Sequence, residues 1–168
     1  VILILDFFIW LQHLLTHKIE FLWRIHRVHH SDTEMDVSTA IRFHPVEIAL
    51  SMALKISLVY ALGADPLSVL IVEILLNGSS IFNHANINIP NRIDKIVRFL
   101  IVTPDMHRIH HSSDRIEHDT NFGFALSIWD HIFQTYKSRP ERDHKEMEIG
   151  LNWQDEKPQE LGLSLIHI

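Results

Sequence analysis

Residues 106–114 read MHRIHHSSD and place His107, His110 and His111 at i, i+3 and i+4. On a helix those positions share one face, so three imidazoles point into one small volume. Nearly the same phrase occurs earlier, with His26, His29 and His30 in HRVHHS. His13 and His17 form an i, i+4 pair, and His84 stands alone at the end of a long apolar run. Neutral imidazole suits zinc, copper, iron or nickel. Three or four such ligands satisfy a single zinc, so His13, His17, His26, His29, His30, His84, His107, His110 and His111 together imply two metals. His44, directly before Pro45, reads as a helix start, and His118, His131, His144 and His167 as surface or outer support at most. Asp6, Glu20, Asp114 and Asp130 lie close enough in sequence to accept the other ring N–H of a ligand histidine and fix its tautomer. For Asp114 a helix cap is an equal reading.

These groups need elements that bring them together. Residues 1–15 are apolar except for Asp6, Gln12 and His13. Asp6, His13, His17 and Glu20 fall on one helical stripe, the arrangement by which a membrane helix turns its polar residues to a protein interior. Residues 24–30 read as a helix followed by a loop over 31–38. Residues 46–62 and 67–82 are two apolar helices separated by Gly63-Ala64-Asp65-Pro66, a clear break. Each is ~25 Å long at 1.5 Å per residue, enough for a short transmembrane hairpin interrupted by Lys55 and Glu73; a soluble helical hairpin is the alternative. Residues 94–102 read as an amphipathic helix suited to a membrane surface, and Pro104 opens the helix of the last cluster. No strand pattern is present. The expectation is an all-α membrane domain, a transmembrane hairpin under which a His-rich helical cap holds a dimetal site.

Charge placement orients this arrangement. The hairpin turn has no Lys or Arg, whereas Lys18, Arg24, Arg27 and Arg42 precede the hairpin and Arg92, Lys95 and Arg98 follow it. The positive-inside rule then puts the turn outside and every histidine cluster on the cytoplasmic side. The net charge of −6, with no separate basic patch, gives no case for nucleic acid. The absence of cysteine excludes disulfides, cysteine-ligated clusters and haem-thiolate chemistry. Residues 1–140 are expected to form the domain, with an N-terminal extension missing, and 141–168 a polar tail. Both ends read as cuts, and the last six residues are given no weight as native sequence.

In order, the His-x-x-x-His, His-x-x-His-His and later His-x-x-His-His groups flanking an apolar hairpin resemble the fatty acid hydroxylase/sterol desaturase superfamily of integral membrane non-haem di-iron enzymes. The resemblance runs from Asp6 to about Tyr136 and includes Arg42-Phe43-His44-Pro45, Phe82-Asn83-His84, Thr103-Pro104-Asp105, Asn121-Phe122-Gly123 and Trp129-Asp130. It implies two iron ions held by the nine histidines above, O₂ as co-substrate, and hydroxylation or desaturation of a lipid C–H bond. Fuller family patterns carry a second histidine after the His84 position. Here Asn88 stands four residues on, with Asn86 between, and either asparagine or neither completes the shell. The chain has no flavin, nicotinamide or haem motif, so electrons must come from another protein; the resemblance implies a ferredoxin- or cytochrome-type donor and its reductase. A membrane zinc transporter or sensor is the competing reading. A hydrolytic zinc site ranks last, because no His-Glu-x-x-His motif supplies a general base.

Overall fold

The computed structural model describes residues 1–144 and 146–151. His167 and the end of the expected polar tail lie outside the described residues. Within them the chain is helical: α1 (Ile2–Lys18), α2 (Glu20–His30), a 3₁₀ turn (Val37–Ile41), α3 (Pro45–Leu62), α4 (Pro66–His84), α5 (Asn91–Val97), α6 (Pro104–His110), α7 (Arg115–His118) and α8 (Ile128–Ile132). No strand forms among the described residues, only two isolated bridges, Ile101 with Leu126 and Ser112 with Ile149. The all-α expectation holds.

The hairpin forms where the break signals placed it. Gly63 caps α3 in the left-handed region (φ 57°), which a residue without Cβ adopts freely. Asp65 then accepts the Ser68 N–H and starts α4, with Pro66 in its first turn. Both helices are long and apolar enough to cross a membrane. Their apolar side chains mostly face outward: Ile56, Tyr60, Leu67 and Ile74 are all more than half exposed. The two charges that interrupt the hairpin face each other, with Lys55 Nζ 2.7 Å from Glu73 Oε1. His44 caps α3 by accepting the Val46 N–H on its Nδ1, as its place before Pro45 implies.

Two expectations change. The stripe from Asp6 to Glu20 breaks at Ile19, where the chain leaves helical geometry and α2 departs from α1 at 102°. Glu20 is therefore on another helix, pairing with Arg24 at the surface. The amphipathic helix over 94–102 is α5 and ends at Val97. Beyond it, Val102 N–H bonds to Ala125 O and Ser127 N–H to Leu100 O, so backbone pairing with 125–127 replaces the helix. Pro104 also disfavours helical geometry at the preceding residue.

Leu5 and Ile9 of α1 pack against Val72 and Leu76 of α4. On the neighbouring stripe of α1, Trp10 Nε1 donates to Asp130 (3.0 Å) and Trp129 Nε1 to Asp6 (2.7 Å), tying α1 to α8. The buried Asp130 carboxylate also accepts the backbone N–H groups of Phe122 (2.9 Å) and Gly123 (2.7 Å) and the Thr135 hydroxyl (2.6 Å). Asn121, at φ 55°, donates to Met106 O and Lys137 O and accepts the Lys137 N–H. Residues 121–123 are thus a backbone knot joining α6, α8 and the chain after it. The chain past Arg139 is more than solvated tail: Ser113 N–H bonds to Glu148 O, Gly150 N–H to His111 O, and Leu151 is buried.

Gly123 sits in this knot with no room for a side chain. A Cβ would lie 2.7 Å from Val102 Cγ2, 2.8 Å from Asp130 Oδ2 and 2.9 Å from Leu126 O. Gly123→Ala is expected to destabilise the fold by about 1–3 kcal/mol, the usual cost of overpacking. Thermal unfolding in detergent reads this directly; an unchanged midpoint would show the knot is not under this constraint.

Candidate metal centre

α1 brings His13 and His17, α2 brings His26, His29 and His30, α4 ends on His84, and α6 with its C-cap residue brings His107, His110 and His111. The structure gathers all nine in two adjoining groups. His13, His17, His26, His30 and His110 offer ring nitrogens within 4.8 Å of one another, and so do His29, His84, His107 and His111. The groups touch: the His30 and His111 rings stack at 4.3 Å, and His29 and His111 lie 4.7 Å apart. Seven of the nine are at most 3% exposed, below what histidine, an intermediate residue in burial, usually shows.

The outward ring nitrogens fix how these imidazoles present themselves. His13 Nδ1 donates to Phe122 O (2.8 Å), His84 Nδ1 to Ser80 O (2.7 Å) and His110 Nδ1 to Thr120 O (2.7 Å). A carbonyl can only accept, so each of these rings carries its proton on Nδ1 and turns a bare Nε2 lone pair inward. His26 Nδ1 is 2.6 Å from Glu47 Oε1, a carboxylate partner of the same kind. The Nε2 atoms of His13 and His110 meet no hydrogen-bond partner. In the second group His84 Nε2 stands 3.1 Å from His107 Nε2 and 3.2 Å from His29 Nε2, and His107 Nε2 is 3.2 Å from His111 Nε2.

The inward lone pairs of His13, His84 and His110 are buried, and where the neighbouring nitrogens at this spacing are likewise unprotonated they repel unless a cation lies among them. Metal–nitrogen bonds of about 2.0–2.1 Å put neighbouring nitrogens about 2.8–3.4 Å apart at right to tetrahedral angles, so the donor set fits metal. Burial, followed by the neighbouring histidines, pushes His107, His110 and His111 well below the ordinary imidazole range, which keeps them in the neutral, ligating form.

Other assignments differ from the sequence reading. Asp6, Asp130 and Glu20 touch none of the nine rings directly; Asp130 acts one step removed, by holding the Phe122 backbone whose carbonyl orients His13. Asp114 is a cap, accepting the Ile116 N–H. Asn86 and Asn88 are exposed, and Asn86 accepts from Arg108 rather than joining either group. His131 is exposed and packs on Tyr136, and His144 is half-buried. His118 is not at the surface. It is 4% exposed, with its ring 4.6 Å from that of His17 and 4.7 Å from that of His30, and it forms a further group with His17 and Asp119. Burial lowers its pKa to about 3. Neither His118 nor Glu47 belongs to a repeated spacing. Glu47, just after Phe43-His44-Pro45, reaches His26 only because α3 packs on α2.

A cavity of about 320 Å³ lies against this centre. His13, His26, His29, His84 and His107 form its imidazole floor, and Ile9, Phe43, Ile48, Met52, Leu76 and Phe124 line its apolar walls between α1 and the hairpin.

The model of the fatty acid hydroxylase family matches residues 1–135. The chain belongs to that family. It is 33% identical over 141 residues to an ornithine lipid hydroxylase of Rhizobium tropici, covering 83% of this chain and 41% of the relative. Human alkylglycerol monooxygenase is 31% identical over 82% of this chain and 30% of its own, and human cholesterol 25-hydroxylase 28% identical over 80% and 48%. The chain thus spans less than half the length of these relatives. No solved structure matches it.

Two outcomes are expected. Glu47→Leu should weaken metal binding about 10- to 100-fold, as loss of such a partner usually does, measured by metal titration of stripped protein; unchanged affinity would make the Glu47–His26 contact incidental. In the metal-free protein, His107, His110, His111 and His118 bind protons more readily unfolded than folded. Stability is then full above the unfolded value of about 6.5 and falls as pH drops below it. The melting point should decline from about pH 7.5 to about pH 5.5, and a rise would contradict buried neutral imidazoles.

Proposed function

We propose that this chain, over residues 1–140, is the metal-bearing domain of a membrane-bound, O₂-dependent oxidoreductase that hydroxylates or desaturates a lipid C–H bond. The observation that carries this reading is the pairing of two buried imidazole groups with a largely apolar cavity that uses five of their members as its floor. His13, His17, His26, His30 and His110 would hold one iron, and His29, His84, His107 and His111 the other. Bound there, two iron ions supply O₂ activation and oxidation of the lipid C–H bond.

The chain's own residues do the rest. The walls bind hydrocarbon and exclude water, leaving a carbon against the floor as the only group presented to the centre. Carbonyls of Phe122, Ser80 and Thr120 and the Glu47 carboxylate hold ring protons at Nδ1, so the inward nitrogens stay free for metal. The hairpin sits in the bilayer with its outward apolar faces against lipid, and the substrate enters from there. The basic residues flanking the hairpin support a centre on the cytoplasmic side, where a ferredoxin- or cytochrome-type donor and its reductase would deliver electrons. The relatives act on an ornithine lipid, on alkylglycerols and on cholesterol by name, which supports a lipid substrate and leaves its identity to experiment. A zinc transporter or sensor is less well supported, because both groups gather at one end of the hairpin and not along it.

Purified protein should carry about two irons per chain by elemental analysis. His110→Ala should cut O₂-dependent lipid oxidation in membranes at least ~100-fold, with His144→Ala close to wild type. Zinc as the resident metal, or activity that persists without iron, would overturn the reading.

A further inference from the structure

The cavity has a second polar end. Lys55 and Asn77 line it together with His84 and His107, so one continuous space joins the imidazole floor to a charged residue midway along the hairpin. Eight residues separate Lys55 from Glu47, the α3 residue that meets the His26 ring. At 1.5 Å per residue the ammonium level stands ~12 Å from the centre along the helix.

An ionisable pair at this depth of an apolar hairpin is costly, and such residues usually mark a substrate site. Lys55 Nζ bonds to Glu73 Oε1 at 2.7 Å, and Asn77 Nδ2 bonds back to Glu73 O (2.7 Å) and Oε2 (3.4 Å). Glu73 itself does not line the cavity. It holds the ammonium from behind and neutralises it, taking one of the three N–H donors a lysine carries. Lys55 thus presents a neutralised but still cationic hydrogen-bond donor to a largely apolar space whose other side-chain donors, Asn77 and Ser51 among them, are uncharged or belong to the imidazole floor. An additional anion there would leave the pair with an uncompensated negative charge, whereas an uncharged oxygen acceptor would not.

We infer that Lys55, set by Glu73 and Asn77, anchors an uncharged oxygen of the lipid substrate, a hydroxyl or carbonyl, about 12 Å of hydrocarbon away from the carbon presented to the imidazole floor. Lys55 is then a specificity determinant, and the distance between anchor and floor selects which carbon reacts. This inference rests on the lipid-oxidising reading of the same cavity and narrows its substrate class.

The test is binding, which does not depend on turnover. Full-chain protein in nanodiscs, loaded with metal, is titrated with 1-hexadecanol, hexadecane and palmitate against a fluorescent acyl probe. Wild type should prefer 1-hexadecanol to hexadecane by about 10- to 100-fold, the range for a hydrogen bond to a charged donor, and should not prefer palmitate to the alcohol. Lys55→Met should abolish the preference for the alcohol while metal content stays at the wild-type level. If the single variant fails to fold because Glu73 is stranded, Lys55→Met with Glu73→Leu replaces the pair by apolar residues, a change that buried pairs often tolerate, and should show the same loss. Equal binding of alcohol and alkane in wild type, a preference that survives in the variants, or tighter binding of palmitate overturns the inference. Lipid oxidation without the preference removes this inference alone. The preference without any lipid oxidation removes the oxidoreductase reading and leaves Lys55 as an anchor in a lipid-binding cavity.

Discussion

The structure depends on the mutual repulsion of buried nitrogen lone pairs. Nine imidazoles are taken out of water, and at least three of them are locked by carbonyl oxygens into the tautomer whose lone pair faces inward. Such an arrangement gains nothing from the hydrophobic effect and loses hydration at every ring. Cations are the physical remedy, since they convert the converging lone pairs into bonds and make binding free energy part of folding free energy. The rest of the fold serves to hold the rings close.

Several backbone features bear on that task. The 102° bend at Ile19 lets α1 and α2, adjacent in sequence, aim their histidines at one volume from different directions; one straight helix would spread His13 to His30 over ~25 Å. The Asn121-Phe122-Gly123 knot then fixes α1 from the far end of the chain. Asp130 gathers Trp10, the Phe122 and Gly123 amides and Thr135, and Phe122 returns its carbonyl to His13. Trp10 and His13 lie one turn apart, so a single helical turn is held both by the carboxylate and by the carbonyl that the carboxylate positions.

Much of this was legible in the sequence. The eight histidines at short repeated spacings, the Gly63–Pro66 break and the His44–Pro45 helix start all depend on local spacing or local turn chemistry, which a chain displays openly; His84 was reached only through the topology of the hairpin. What escaped depends on how elements meet. His118 belongs to no repeated phrase and enters the centre because α7 folds back against α1 and α2. Glu47 becomes a histidine partner through packing of α3 on α2. Asp6 and Asp130 looked like supports for ligands because they were close in sequence to histidines. Tryptophan N–H groups and backbone amides claim them instead, and no spacing rule distinguishes an imidazole N–H from an indole N–H as the donor.

Lys55 and Glu73 show the same limit from the other side. In sequence they only weaken two apolar runs and leave a soluble hairpin open as an alternative. In space they neutralise each other across the hairpin, so the charges that counted against a membrane helix cease to do so. A pair kept for helix cohesion alone would gain little, since apolar residues of similar volume pack as well or better in such a place. The pair is also not sealed between the two helices: Lys55 reaches the cavity that ends on His84 and His107. Its cost is intelligible if the cavity needs a fixed charged donor among largely apolar walls, because hydrocarbon contacts hold a chain without setting its position along the groove. A polar anchor at one end and a rigid imidazole floor at the other convert a slippery apolar slot into a ruler.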